Sequence, residues 1–238
     1  DGGLFVSDDL GGTTIDISTL AGKDYPTLAR EVMGALLPDY SADEIAACVD
    51  EAYTGTFASS EVTPLVPLSQ APNADGTPTY VMELFGGPTN AFKDVALQML
   101  PRLMARTAGV EGESIMIVTA TSGDTGKAAL DGFAGVKGCG VTVFYPEGKV
   151  SDIQHLQMAT QAGDNVAVCA VRGNFDDCQT EVKHIFADTA LAKRLAEGGA
   201  VLSSANSINV GRLAPQVSYY FDSYAQLVRS EEHTSELQ

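Results

Sequence analysis

The chain has 238 residues, 45% of them hydrophobic, with a formal charge of −17. That composition supports a packed core and argues against global disorder. The acidic balance disfavours nucleic acid, whose phosphates reward Lys and Arg, and equally an anionic membrane surface. A small anionic substrate is still compatible, because a local cationic pocket can oppose the global field.

No apolar run approaches the roughly 18 residues a membrane helix needs. The opening DGGLFVS lacks an initiator Met and a signal peptide and reads as mid-protein sequence. Cys48, Cys139, Cys169 and Cys178 include no CxxC pair, a pattern expected of reduced, buried thiols in a cytoplasm.

The first sixty residues read as helical. Pro26 suits a first helical position, with Leu28, Val32 and Leu36 following at helical spacing. Ser41 to Glu44 has the form of a capping box, and Ile45, Val49, Ala52 and Tyr53 form one apolar face behind it. A helical hairpin without chemistry of its own is the expectation there.

After Thr63 short apolar strands alternate with helices. TYVMELF precedes a helix after Phe92, and SIMIVTATS precedes one from Thr125. GVTVFYP is followed by SDIQHLQMATQAG, and NVAVCAV by one long helix over FDDCQTEVKHIFADTALAKRLAEGG. AVLSSA leads into LAPQVSYYFDSYAQL, whose helix should end near Leu227. This alternation predicts βαβ units and a parallel sheet covered on both faces. Pro101 should kink or end the helix that contains it. Ligands in such sheets bind at the carboxyl ends of strands. Three turns qualify by position: GGPTNAFKD, SGDTGK and RGNFDD.

In SGDTGK, Gly123 and Gly126 would let the backbone approach a ligand, and the amides of the next helix would favour an anion. A Walker A loop is excluded: Thr121 stands where its first glycine is required, and Ala128 follows Lys127 in place of Ser or Thr. RGNFDD is locally a second anion site, but Asp176 and Asp177 serve equally as carboxylates complementing a helix dipole. Lys93 lies among apolar residues and glycines in a strand-to-helix turn. Desolvation there would depress its pKa, and a neutral amine attacks carbonyl compounds. Taken alone, such a lysine can equally be a solvated surface residue.

GPTNAFKD, TATSGDTG, FDDCQ and SSANSINVGRL, in this order, resemble the threonine synthase family of fold-type-II enzymes that use pyridoxal 5′-phosphate (PLP). The resemblance covers residues 1–228. It implies an α/β fold with the three-layer parallel sheets of that class and an N-terminal helical segment, here incomplete at both ends. Residues 1–62 would be the helical segment and 63–228 the first part of the catalytic region.

The resemblance makes Lys93 the Schiff-base lysine holding PLP, with Phe92 beside the ring. Ser122, Gly123, Asp124 and Thr125 would form the loop facing the substrate carboxylate and the ring hydroxyl. Asp124, where related enzymes often carry Asn, could organise that loop rather than touch ligand. Lys127, Lys149 and Arg212 are candidates for the substrate phosphate. RGNFDD is not this family's cofactor-phosphate cup, which is expected beyond residue 228 together with the partner of the pyridine nitrogen. The 238 residues alone are therefore expected to bind PLP weakly or not at all.

The implied reaction is conversion of O-phospho-L-homoserine and water to L-threonine and phosphate, a step of threonine biosynthesis in the cytoplasm. A phospholyase-like relative or an amino-acid dehydratase of the same fold is the alternative enzyme. A non-catalytic α/β interaction protein is the alternative from another class. The final RSEEHTSELQ, residues 229–238, is polar and aperiodic. It reads as the translation of a sequencing-library adapter, hence as a non-native tail. Without its one Arg and three Glu the charge is −15, and the argument from charge is unchanged.

Overall fold

The computed structural model describes residues 12–68, 73, 76–207 and 209–235, so the opening DGGLFVS and Ile208 of the SSANSINVGRL motif lie outside the described residues. Two units divide the chain. One takes residues up to Phe92 and from Ala214 onward; the other runs from Lys93 to Leu213.

In the first unit a 3-10 turn, Ile17–Leu20, precedes α1, Tyr25–Leu36, and α2, Ala42–Tyr53. Asp24 caps α1 by accepting from the Thr27 amide, so Pro26 sits one place inside the helix start. The Ser41–Glu44 capping box forms as the sequence indicates. The two helices pack as the expected hairpin, with Tyr25 and Tyr53 edge to face at 5.2 Å. Leu20, Leu28 and Val32 join Ala225 in the core of this unit.

Two expectations fail in this unit. The TYVMELF strand contracts to β2, Tyr80–Met82, and pairs antiparallel with β1, Leu65–Pro67, so it is no member of the parallel sheet. Pro67 and a three-residue length hid β1 from a search for longer apolar runs. The final helix, α8, runs from Val210 to Ser235, past the expected end near Leu227. The residues between contain no Gly or Pro to stop it, and Glu231 and Glu232 are good helix formers.

The second unit holds the parallel sheet. Its strands are β3, Ser114–Ala120; β4, Cys139–Pro146; β5, Val166–Val171; and β6, Ala200–Ser203, in the order β5-β4-β3-β6. Between them lie α4, Asp124–Phe133; α5, Asp152–Ala159; α6, Phe175–Ala187; and α7, Thr189–Glu197, while α3, Asp94–Glu111, precedes β3. Leu97 and Leu100 of α3, Leu130 and Phe133 of α4, and Ile117, Val141, Val143 and Tyr145 of the sheet make one apolar cluster.

Coverage of the other face is uneven. Helix α6 packs on β3 and β4 with Cys178 and Val182 buried, but Ala167 and Cys169 on the edge strand β5 are exposed. Cys169 thus departs from the expectation of buried thiols; Cys48, Cys139 and Cys178 meet it. The helix expected over 175–199 breaks at Asp188, whose carboxylate accepts the Ala190 and Leu191 amides and so starts α7.

Pro101 does not end α3, which continues for ten further residues. Proline removes the amide that would bond the Leu97 carbonyl. That carbonyl instead faces Gly132 of α4, where an added Cβ would lie 2.0 Å from the oxygen. Arg102 spans the same crossing, donating to the carbonyls of Gln98 at 2.8 Å and Gly132 at 2.9 Å. Pro101 and Gly132 together let the two helices approach closely, and these helices carry the site residues at their N-termini. Asn165 secures the far end of α4: its Nδ2 donates to the carbonyls of Phe133 and Cys139 at 2.7 and 2.8 Å, and its Oδ1 accepts the Gly135 amide.

Candidate active site

Lys93 is the N-cap of α3, and its carbonyl accepts the Ala96 and Leu97 amides. The preceding loop turns at Asn90, which adopts a positive φ of 57° and donates its side-chain amide to the Phe85 carbonyl. The Lys93 ammonium is destabilised by burial and held below its ordinary pKa. The Asp124 carboxylate opposes that shift, while Arg212 and Lys127 reinforce it. The amine is thus partly desolvated, in a field to which one anion and two cations contribute. Phe92, its neighbour in the chain, is 41% exposed.

The second part of the site is the turn from β3 into α4. Thr121 builds it: the buried hydroxyl Oγ1 accepts the Gly123 amide at 2.9 Å and the Gly126 amide at 2.8 Å. Sequence reasoning passed over Thr121 except as a mismatch to a phosphate loop. Its position two and five residues before those glycines was the available signal. Neither glycine has room for a side chain. A Cβ at Gly126 would lie 2.4 Å from Thr121 and 2.7 Å from Val143, and one at Gly123 would lie 2.3 Å from Gln154. Gly123 also holds a φ of 136°, a conformation side chains rarely adopt.

Asp124 begins α4 with its carboxylate at the helix N-terminus. Burial pushes its pKa up, but a hydrogen bond from Gln154 and the charge and hydrogen bond of Lys127 outweigh it and hold the carboxyl low. Lys127 is buried and lies 3.3 Å from Asp124 Oδ1. Arg212, buried in the first turn of α8, donates to the Ala205 carbonyl at 2.8 Å. Ser122 is exposed and Thr125 half-buried. Lys149 is exposed. At RGNFDD, the Asn174 side chain accepts the Asp176 and Asp177 amides, and the Asp177 carboxylate accepts the Asn174 amide. This helix start is occupied by its own capping box, so the carboxylate reading holds there and the anion site does not.

Comparison with known proteins decides the family. The family described as pyridoxal-phosphate dependent enzyme matches residues 58–227. The chain belongs to that family. It is 40% identical over 229 residues to threonine synthase of Pseudomonas aeruginosa, covering 95% of this chain and 46% of that protein. The crystal structure of threonine synthase from yeast matches with a TM-score of 0.81 at 35% identity, over 94% of this chain and 44% of that one. The PLP-bound threonine synthase of Brucella melitensis matches with a TM-score of 0.76 at 41% identity, over 89% and 43%. The chain spans about half the length of the curated relatives it matches. The expected α/β fold with its parallel sheet is thereby established. Among the described residues no helix is long and apolar enough to cross a membrane.

The residues present fit a carbonyl-bearing, anionic cofactor. Lys93 offers a partly desolvated amine, and Lys127 and Arg212 add positive charge beside it in an otherwise acidic chain.

Proposed function

We propose that this chain carries the lysine-bearing part of a threonine synthase, which converts O-phospho-L-homoserine and water to L-threonine and phosphate with PLP as cofactor. The observation that carries the reading is the depressed Lys93 amine beside Asp124, Lys127 and Arg212, in a chain 40% identical to a threonine synthase. PLP, when bound, supplies an electron sink for charge left on the substrate's carbon atoms. Lys93 would hold the cofactor through its amine and, when not so engaged, would take the α-proton and then a β-proton as general base; a neutral amine on one flexible stem reaches both positions. Burial favours that neutral form. Lys127 and Arg212 give the doubly anionic substrate a favourable field. Asp124, engaged by Lys127 and Gln154, organises the loop rather than binding the substrate carboxylate directly. Ser122, Gly123 and Thr125 would face the substrate from their turn, and Phe92 would pack beside the cofactor ring. Four cysteines outside any disulfide accord with a reducing, cytoplasmic setting.

The test is an assay of the intact protein with O-phospho-L-homoserine and PLP, measuring phosphate and amino-acid product, with Lys93→Ala as control. Threonine and phosphate in equal amounts, both lost in the variant, are expected. Phosphate with a keto acid would assign the protein to a phospholyase instead. No turnover with PLP bound would refute the substrate.

A further inference from the structure

Gln154, in the first turn of α5, was not among the residues the sequence nominated. Its carboxamide does two things at once. Oε1 accepts the Ser151 amide at 3.1 Å, closing the capping box of α5. Nε2 donates to Asp124 Oδ1 at 2.9 Å. Chemistry dictates this orientation, since an amide N–H needs an acceptor and a carboxylate needs a donor. The same carboxamide occupies the place a Cβ at residue 123 would take, at 2.3 to 2.5 Å. One side chain therefore joins the start of α5 to the turn that starts α4.

We infer that Gln154 is a positioning residue of this site: it clamps the Gly123 turn and holds the Asp124 carboxylate beside Lys127, so that the carboxylate faces Lys93 from a fixed place. The inference rests on the reading that Lys93 performs the chemistry. Asp124 has a side chain 42% exposed, and Lys127 reaches it at 3.3 Å. A carboxylate held by a single flexible ammonium can rotate about its own bonds; a second, directional donor on the same oxygen removes that freedom. The consequence reaches Lys93, because Asp124 favours its charged form while Lys127 and Arg212 disfavour it. Displacing the anion shifts that balance toward the neutral amine, and adding one shifts it toward the ammonium.

The experiment measures the pH at which Lys93 becomes half-reactive toward an amine acylating reagent. The intact protein is freed of cofactor, and labelling is read by peptide mass spectrometry. Gln154→Glu keeps the capping box, since Glu is a natural partner in it, but replaces the donor to Asp124 with a second carboxylate. Its midpoint should rise by about one pH unit. Gln154→Met cannot donate and should release Asp124, lowering the midpoint. Thermal melting checks that both variants are folded; if Gln154→Met is not, Gln154→Leu, which equally lacks the donor, takes its place. Shifts in opposite directions support the inference. Unchanged midpoints, or shifts of the same sign, overturn it, because general loosening of the loop would move both variants alike. No substrate is involved, so a failed assignment of the reaction leaves this result readable.

Discussion

Asp222 on α8 is 4% exposed, and its Oδ2 accepts from the Thr63 hydroxyl at 2.9 Å and from Gln226 Nε2 at 2.5 Å. Burial raises its pKa from 3.8 to about 6; the hydrogen bonds from Thr63 and Gln226 and the charge of Arg229 oppose the rise, and Glu61 adds to it. The folded state thus holds this proton more tightly than the unfolded chain. The resulting stabilisation is fully present below pH 3.8 and is lost as pH rises through about 6. A difference of about two pKa units corresponds to about 3 kcal/mol. Asp222→Asn keeps an acceptor for Thr63 and Gln226 but cannot ionise. It should match the parent near pH 4 and gain about 3 kcal/mol by pH 8. Urea unfolding of the intact protein at pH 4, 5, 6 and 8 measures this directly. A variant equally stable or less stable than the parent at every pH would refute the reasoning. It would mean that the carboxylate is adequately solvated or that its charge is needed.

Three further substitutions test the architecture around the site. Gly132→Ala places a methyl group 2.0 Å from the Leu97 carbonyl and should cost about 3 kcal/mol, whereas Gly34→Ala, on an exposed face of α1 with nothing nearby, should gain about 0.5–1 kcal/mol. Paired melting curves would expose an error in either sign. Thr121→Val preserves the shape of the turn but leaves the Gly123 and Gly126 amides without their acceptor. A loss of about 2–4 kcal/mol is expected. Retention of bound PLP after dialysis should fall with it, and a variant that melts and retains PLP as the parent does would show that the hydroxyl is dispensable.

Local chemistry made much of this protein readable from its residues. The Ser41 and Glu44 capping box and the apolar stripes of α1 and α2 depend on neighbours three or four positions away, and the structure keeps them. The β3, β4 and β5 runs were legible as short, continuously apolar, Val- and Ile-containing segments, although β5 leaves one face exposed. Lys93 stood out because apolar surroundings disfavour an ammonium and lower its pKa. Range limited the rest. β1 became a strand only by pairing with β2, fifteen residues away. Pro101 read as a helix breaker, whereas α3 runs on past it, with Gly132, thirty-one positions on, lying against the carbonyl it left without a donor. At Gly123 and Gly126 the sequence shows that a Cβ is missing without showing which atoms stand where it would lie. Gln154, Val143 and Thr121 stand there. The chain's order of residues determined most of the elements and caps and set Lys93 in an apolar turn before α3. Tertiary structure alone decided which side chains meet at that lysine, because the contacts among α3, α4 and α5 join segments the sequence keeps some thirty residues apart.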